Sequence, residues 1–191
     1  RSCLVGSEMC IRDSPNISSN LHAATASVTS TGAGNVGGIL GEAYQNQPTL
    51  EQNVVLGSVT ASGLGDCAGG IAGALTANSA NLTVQNNYVQ GDIEGNEDIG
   101  GIIGCLADSN GFDYIITNNY FAGAIDADLN GGGIVGECSV STGNFGTLTG
   151  NIYDTDTSGL SSHIGENLLN CSTEWTDNLG YTTSEMQDQA S

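Results

Sequence analysis

Glycine and apolar positions recur along the chain at a spacing of about 32 residues. The phrase Gly-Gly-Ile-x-Gly begins at Gly37, Gly69, Gly100 and Gly132, so consecutive copies are 32, 31 and 32 residues apart. Self-similarity at such a period is typical of solenoids and related repeat arrays. The pattern therefore predicts stacked coils of about 32 residues each.

A second phrase, an asparagine followed by two apolar residues, keeps the same spacing. It begins at Asn53, Asn87 and Asn119, with a divergent copy at Asn151. Stacked coils would place these amides one above another, each able to donate a hydrogen bond to the next. In the first coil we predict that His22 ends this row as a hydrogen-bonding substitute, because it lies six residues before Val28.

Three short β-like segments per repeat are separated by clusters of Gly, Asn, Asp and Ser. The first contains the asparagine, the second follows the next glycine, and the third is the Gly-Gly-Ile run. No segment keeps a 3.6-residue period, so few helices are expected. The isoleucines of the third segment should form one buried row, and its glycines should permit tight bends or close backbone approach. The isoleucines concerned are Ile39, Ile71, Ile102 and Ile134.

The charge of the chain excludes some classes of function. Its formal net charge is −19, and its only basic side chains are Arg1 and Arg12. Such a surface does not neutralise phosphates, which excludes nucleic-acid binding and attachment to anionic lipid through basic patches. No run of 18 apolar residues is present, so membrane insertion is not predicted. The negative charge favours solubility, with cation binding as the alternative.

Several phrases resemble a known family of repeats. GGIVG and NNYFAGAI resemble GLUG-motif repeats, which occur in bacterial surface adhesins, haemagglutinin-like proteins and non-catalytic parts of some immunoglobulin A-cleaving peptidases. NIYDTDTSGLSS and GYTTSEMQDQAS are similar to the tail that commonly closes such arrays. The resemblance covers about residues 21–191. It implies an all-β, right-handed parallel β-helix (β-solenoid) on a secreted or surface-attached protein.

Three regions are expected on this basis. Residues 1–14, RSCLVGSEMCIRDS, resemble translated sequencing-adaptor read-through in metagenomic sequence, with a natural leader as the alternative, and we exclude them from the fold prediction. Residues 15–150 are expected to hold the GLUG-type repeats. Residues 151–191 are expected to form a divergent last coil and a tail, which we expect to be truncated.

The cysteines outside that opening segment do not suggest a zinc site. They are Cys67, Cys105, Cys138 and Cys171. None forms a CxxC pair, and His22 and His163 are isolated in the sequence. Cys105 and Cys138 follow the Gly-Gly-Ile run in neighbouring repeats, so a disulfide between them is one interpretation. Small buried thiols are the favoured one.

The segment 126–137, DADLNGGGIVGE, satisfies the spacing of a calcium-binding loop. Asp126, Asp128 and Asn130 would supply oxygen ligands, and Glu137 would close the site. The flanking helices of an EF-hand are not predicted, however, and the sibling repeats lack the acidic set. We therefore predict no metal site, and calcium binding by these four residues is left as an open question.

Catalytic interpretations rest on paired carboxylates. Asp126 with Asp128, or Glu97 with Asp98, are residue types that a glycoside hydrolase needs. Adjacent acidic residues are more often a solvated edge, and no other catalytic motif is present. A carbohydrate-binding face would need an aromatic groove, and Tyr88 and Tyr120 are the only repeated aromatic pair, for which a core stack is favoured.

Together with these patterns, the resemblance to GLUG-motif repeats implies a structural or adhesive repeat region that acts as a rigid acidic stalk or display surface, without catalysis, cofactor or metal. The expected partners are a host-cell or extracellular glycan or protein surface and the remainder of a longer parent chain. The expected location is extracellular or at a bacterial cell surface. The alternatives are a non-catalytic repeat region of a secreted peptidase and a carbohydrate-binding or carbohydrate-cleaving β-helix.

Overall fold

The computed structural model describes residues 2–4, 9–11, 16–44, 48–77, 81–108, 114–140, 146–169 and 179–189. In this part of the chain, parallel strands stack into a β-solenoid of four coils and part of a fifth. Paired strands of successive coils lie about 32 residues apart in the sequence. The predicted all-β solenoid is therefore confirmed.

Each full coil contributes five short strands. Two strands precede the first coil: β1 (Ser2–Leu4) and β2 (Met9–Ile11). The first coil holds β3 (Asn16–Ser18), β4 (Leu21–His22), β5 (Ser27–Ser30), β6 (Val36–Gly37) and β7 (Leu40–Tyr44). The second holds β8 (Thr49–Glu51), β9 (Val54–Val55), β10 (Ser58–Ala61), β11 (Cys67–Gly69) and β12 (Ala72–Ala77).

The later coils repeat this order. The third holds β13 (Leu82–Gln85), β14 (Tyr88–Val89), β15 (Ile93–Gly95), β16 (Asp98–Gly100) and β17 (Ile103–Asp108). The fourth holds β18 (Tyr114–Thr117), β19 (Tyr120–Phe121), β20 (Ile125–Ala127), β21 (Asn130–Gly132) and β22 (Val135–Val140). The remainder holds β23 (Thr147–Thr149), β24 (Ile152–Asp154), α1 (Thr155–Ser158), β25 (Ile164–Leu169), β26 (Leu179–Tyr181) and α2 (Thr183–Gln189).

Equivalent strands of successive coils form five sheets, numbered here in the order in which each coil visits them. Their strand orders are β3-β8-β13-β18-β23 (sheet 1), β4-β9-β14-β19-β24-β26 (sheet 2), β5-β10-β15-β20 (sheet 3), β6-β11-β16-β21 (sheet 4) and β2-β1-β7-β12-β17-β22-β25 (sheet 5). The prediction of three segments per coil was therefore too coarse, because the first segment breaks at its asparagine and the third at its Gly-Gly-Ile bend.

Sheets 1 and 2 meet at a bend made by one left-handed residue and the asparagine that follows it. The left-handed residues, with φ from 55° to 66°, are Ser19, Gln52, Asn86, Asn118 and Gly150. This conformation turns the chain sharply and is adopted readily by Gly and tolerated by Asn. The next residue is an asparagine that is buried in every coil but the first, and these residues form a row that we call the asparagine ladder: Asn20, Asn53, Asn87, Asn119 and Asn151.

The interior amides of the ladder use their full hydrogen-bonding capacity. The Oδ1 atom of Asn87 accepts hydrogen bonds from the backbone N and the Nδ2 of Asn53, both at 3.0 Å. Its own Nδ2 donates to the backbone oxygen of Leu50 and to Asn119 Oδ1, both at 2.9 Å. Since Asn87 is only 2% exposed, these bonds replace the water that the amide loses on folding.

The core lies between the sheets and consists of aliphatic and aromatic rows. The predicted isoleucine row is confirmed, because Ile71, Ile102 and Ile134 are fully buried and Ile39 nearly so. The backbone N of Ile71 donates to the oxygen of Ile102 at 2.9 Å, so the row is also a hydrogen-bonded ladder between coils. In the fifth coil His163 takes the next position, since Ile134 N donates to its backbone oxygen at 2.9 Å.

Glycine rows let the backbones of sheets 4 and 5 pack directly against each other. A Cβ atom added to Gly69 of sheet 4 would lie 2.6 Å from the backbone N of Gly104 in sheet 5. One added to Gly104 would lie 2.7 Å from the backbone N of Ala68. These distances are shorter than a Cβ tolerates, so the predicted close backbone approach is confirmed.

Additional elements cover both ends of the solenoid. Strands β1 and β2 lie in the segment excluded from the fold prediction, where they pair antiparallel, and β1 also pairs antiparallel with β7. At the other end β26 pairs with β24, so the two tail-like phrases of the sequence are neighbours. Helix α2 follows and begins with a reciprocal capping box between Thr182 and Glu185. Neither helix of the described residues is long and apolar enough to span a membrane.

Candidate functional site

Four polar side chains converge where sheets 4 and 5 come together, and we call this group the acidic corner: Asp98, Asn130, Glu137 and Glu166. Asp98 and Asn130 are paired neighbours on β16 and β21 of sheet 4. Glu137 and Glu166 are paired neighbours on β22 and β25 of sheet 5. Because the glycine rows draw the two sheets together, side chains on the facing edges of both sheets meet at this corner.

The three carboxylates of the acidic corner each place an oxygen within 4.8 Å of the others. Asn130 connects two of them, since its Nδ2 donates to Asp98 Oδ1 at 2.8 Å and to Glu166 Oε2 at 2.7 Å. Asp98 is 9% exposed, and the other three side chains are half-buried. After Arg12 the sequence contains no lysine or arginine that could balance this charge.

A proton partly relieves the crowding of these carboxylates. Burial raises the pKa of Glu137 to about 7, and a side-chain hydrogen bond to Asp98 together with the charges of Asp98, Glu166 and Glu97 adds to this rise. Glu137 is therefore partly protonated at neutral pH. Its carboxyl group can exchange a proton near pH 7.

A disulfide bond borders the corner. Cys67 on β11 and Cys105 on β17 are bonded, with Cα atoms 5.5 Å apart and a sequence separation of 38 positions. The Sγ atom of Cys105 lies 3.7 Å from Asp98 Oδ2. A disulfide sulfur carries no proton, so this approach is a contact and not a hydrogen bond.

This pairing corrects both interpretations of Cys105. Its partner is Cys67, not Cys138, and neither Cys105 nor Cys138 is a free thiol. In the register of sheet 5, Cys138 lies opposite Leu106, while Cys105 lies opposite Glu137. A one-residue offset along a strand reverses the face of the sheet, so Cys138 is buried in the core while Cys105 faces outward.

The residues of the predicted calcium loop are divided between two places. Asn130 and Glu137 belong to the acidic corner, whereas Asp126 and Asp128 are exposed and line a groove of about 80 Å³ beside sheet 3. Within the described ranges, neither aspartate belongs to a group with the spacing of metal ligands. The loop pattern requires one continuous turn, but here the segment passes through strands of sheets 3, 4 and 5.

The carboxylate pairs considered for glycoside hydrolysis are also rearranged. Asp98 is hydrogen-bonded to Glu137, and its sequence neighbour Glu97 acts on the pKa of Glu137 only through its charge. Hydrolases of the retaining type hold their two carboxyl groups about 5–5.5 Å apart, with the glycosidic bond between them. A directly hydrogen-bonded pair such as Asp98 and Glu137 leaves no such gap.

The two stacked tyrosines lie on the outside of sheet 2, not in the core as favoured from the sequence. The ring centroids of Tyr88 and Tyr120 are 5.3 Å apart with an interplanar angle of 15°, and both side chains are half-buried. Their neighbours Val89 and Phe121 fill the core instead. Tyr120 also donates a hydrogen bond to Met186 Sδ of helix α2 at 3.0 Å. The stack thus covers one face of each ring.

The prediction for His22 was wrong. The backbone N and Nδ2 of Asn20 donate to Asn53 Oδ1, so Asn20 ends the asparagine ladder. His22 lies two positions further on, opposite Val55. The turn after His22 is two residues longer than the equivalent turns of the other coils. Counting six residues back from Val28 therefore reached His22 instead of Asn20. Burial lowers the pKa of His22, and neither histidine joins a metal-ligand group among the described residues.

A depression of about 640 Å³ lies at the C-terminal end of the core and was not anticipated from the sequence. Its lining includes Tyr153, Asp156, Leu160 and His163. Tyr153 and His163 are the last members of two core rows, and burial raises the pKa of the first and lowers that of the second. The depression therefore marks where the apolar rows of the solenoid stop.

Comparison with known proteins does not extend these observations. Neither a protein-family model, nor a curated protein, nor a solved structure matches the chain. The resemblance to GLUG-motif repeats consequently stays a prediction from short phrases of the sequence.

Proposed function

We propose that this chain is a rigid, acidic repeat region of a secreted or cell-surface bacterial protein, where it serves as a stalk or display surface and performs no catalysis of its own. Its partners on this proposal are an extracellular or host-cell glycan or protein surface and the remainder of a longer chain. The single observation that carries the proposal is the unbroken asparagine ladder, whose amides connect all five coils and are buried in every coil but the first.

The ladder supports a mechanical role because it acts along the solenoid axis. Each interior amide is bonded to the coil before it and to the coil after it. Beside it, parallel sheets add backbone hydrogen bonds between the same coils, and the Cys67–Cys105 disulfide adds a covalent link between the second and third coils. A chain held in this way transmits a pull from coil to coil with little bending, because neighbouring repeats share most of their buried surface.

The charge supports a surface location. A formal charge of −19 on 191 residues keeps such an array soluble and prevents its flat sides from associating. Two outward positions of sheet 3 illustrate the effect, since Glu94 and Asp126 are paired neighbours and both are exposed. Side-by-side aggregation of solenoids would have to bring such rows together.

Force spectroscopy on the full chain, tethered at both ends between marker domains, tests the stalk role. We expect unfolding in one or two cooperative steps, at forces above those of a helical marker domain in the same molecule. Asn87→Ala should lower the unfolding force, whereas the matched surface change Asp126→Asn should leave it unchanged. Gradual extension at low force would refute the proposed rigidity. Binding of the chain to immobilised glycans and extracellular proteins tests the display role separately.

A further inference from the structure

We propose that reduction of the Cys67–Cys105 disulfide converts this edge of the acidic corner into a binding site for zinc or a similar thiophilic divalent metal. The ligands are the two cysteine Sγ atoms and the carboxylate of Asp98, with Glu137 in the fourth position. This inference does not rest on the stalk role. The site needs only three neighbouring strands of the second and third coils and the adjoining β22, whatever the whole array does.

The positions of the ligand atoms support the site. One ligand atom from each of Cys67, Cys105 and Asp98 lies within 4.8 Å of the other two. Tetrahedral zinc with Zn–S bonds of about 2.3 Å holds two sulfurs roughly 3.8 Å apart. Once the S–S bond is open, rotation of the two side chains supplies this separation, since the Cα atoms are already 5.5 Å apart.

The surroundings of Asp98 give a second, separate observation. This carboxylate is 91% buried, and its Oδ2 atom faces a disulfide sulfur that carries no proton. Its Oδ1 atom accepts a hydrogen bond from Asn130 Nδ2 at 2.8 Å, the carboxylates of Glu137 and Glu166 lie close by, and no lysine or arginine follows Arg12 in the sequence. The Oδ2 atom, a buried acceptor directed at sulfur, gains a partner from a cation that binds both sulfur and oxygen.

The electron and proton balance of the conversion is simple. A dithiol reductant gives two electrons and two protons to the disulfide, which becomes two thiols while the reductant becomes a cyclic disulfide. Zinc then displaces one proton from each thiol and forms two Zn–S bonds. Its double positive charge also offsets the negative charge that the carboxylates of Asp98 and Glu137 bring together.

The strands supply the ligands in a fixed arrangement. Cys67 and Asp98 are direct partners across β11 and β16, and Cys105 and Glu137 are direct partners across β17 and β22. The glycine rows hold these two pairs close together without a loop between them. Two thiolates in the ligand set favour zinc, cadmium or cobalt over calcium and magnesium, which prefer oxygen ligands alone.

Titration with Co²⁺ of the full chain, after reduction with a phosphine and removal of metal, tests the site. The phosphine takes up one oxygen from water as it reduces each disulfide, and the product has no thiol to compete for metal. We expect a thiolate-to-cobalt charge-transfer band and the visible bands of tetrahedral cobalt, both displaced by one equivalent of Zn²⁺. The oxidised protein should show neither band.

Matched variants separate this site from the other cysteines. The double variant Cys67→Ser/Cys105→Ser keeps every other cysteine and should lower the affinity for Zn²⁺ at least 100-fold. Asp98→Asn should retain the charge-transfer band with an affinity lowered at least tenfold, while Asp126→Asn on the neighbouring sheet should bind as the unchanged chain does. Equal binding by the double serine variant would overturn the proposal. Loss of the β-type circular dichroism on reduction alone would also overturn it, because the site needs the stacked strands.

Discussion

The asparagine ladder and the acidic corner are both polar rows built by the same stacking of coils. They differ in the proportion of hydrogen-bond donors to acceptors that their side chains carry. An amide carries donors and acceptors in equal measure, so a column of asparagines satisfies itself at every level. An ionised carboxylate carries acceptors only. The corner therefore depends on the amide of Asn130 and on the proton that the raised pKa of Glu137 retains. Stacking stabilises a polar residue only where its donors match the acceptors of the next coil.

Placing a carboxylate in the ladder should be the most damaging change. Asn87→Asp keeps the shape of the side chain but removes both donors, so carbonyl oxygens of Leu50 and Asn119 face a buried acceptor. We expect a loss of about 5 kcal/mol of unfolding free energy at pH 7, and a smaller loss at pH 4, where the aspartate is protonated. Urea unfolding monitored by circular dichroism at both pH values measures this. An equal loss at both values would show that the ionised charge is not the cause.

Removing the disulfide beside the corner should have the next largest effect. In the chain-entropy description, a cross-link closing a loop of 38 residues stabilises a protein by about 4 kcal/mol, mainly by restricting the unfolded chain. The variant Cys67→Ala/Cys105→Ala should lose roughly this amount in denaturant titrations under oxidising conditions. Under reducing conditions the variant and the unchanged chain should differ by much less. A difference that persists after reduction would indicate a packing defect instead.

Glu137 should make stability depend on pH around neutrality. Because its pKa is raised to about 7 in the folded protein, from an ordinary value of 4.5, the folded state binds more protons than the unfolded chain between these values. The resulting stabilisation is complete below pH 4.5 and is lost as the pH rises through 7. Glu137→Gln should flatten the stability profile between pH 5 and 8, whereas Glu94→Gln on exposed sheet 3 should not. A profile unchanged by Glu137→Gln would assign the titration to another group.

The smallest effect is expected at the bends that support the ladder. Gln52 adopts φ of 56°, a left-handed conformation that disfavours side chains with a Cβ, while the fifth coil uses Gly150 at the equivalent bend. Gln52→Gly should therefore raise the unfolding free energy by up to about 1 kcal/mol, after the entropic penalty of glycine in the unfolded chain. Thermal unfolding should show a small increase in midpoint. Gln90→Gly, two residues beyond Tyr88 and outside this row, is the comparison that should not stabilise.

Sequence periodicity predicted the repeated rows well because each row recurs at one fixed offset. Ile71, Ile102 and Ile134 are buried in register, and the asparagines stack as expected. The prediction for His22 was wrong because two inserted residues changed the offset in one coil. Each coil has five strands, where the sequence predicted three segments. A single left-handed residue or a Gly-Gly bend interrupts the hydrogen bonding of a strand, but it leaves no loop that the composition would reveal.

The acidic corner was missed although the sequence contained a signal for it. Cys67, Asp98 and Asn130 each lie two residues before a Gly-Gly pair, and Cys105 and Glu137 each lie one residue after the closing glycine of their run. Aligning the repeats on their glycines places these residues in two adjacent rows. The side of the sheet that these residues face, and the distance between the two rows, depend on the packing of sheet 4 against sheet 5. A single repeat of the sequence does not show this packing.

The nearly constant separation of paired strands also bears on how the chain is made. Most strand pairs join residues about 32 positions apart, so the sequence distance that a new contact must close does not grow as the solenoid lengthens. At a synthesis rate of about 5–20 residues per second, one coil leaves the ribosome in roughly 2–6 seconds. Each finished coil then offers open strand edges as a template, and the solenoid can grow from its first coil onward at a pace set by synthesis.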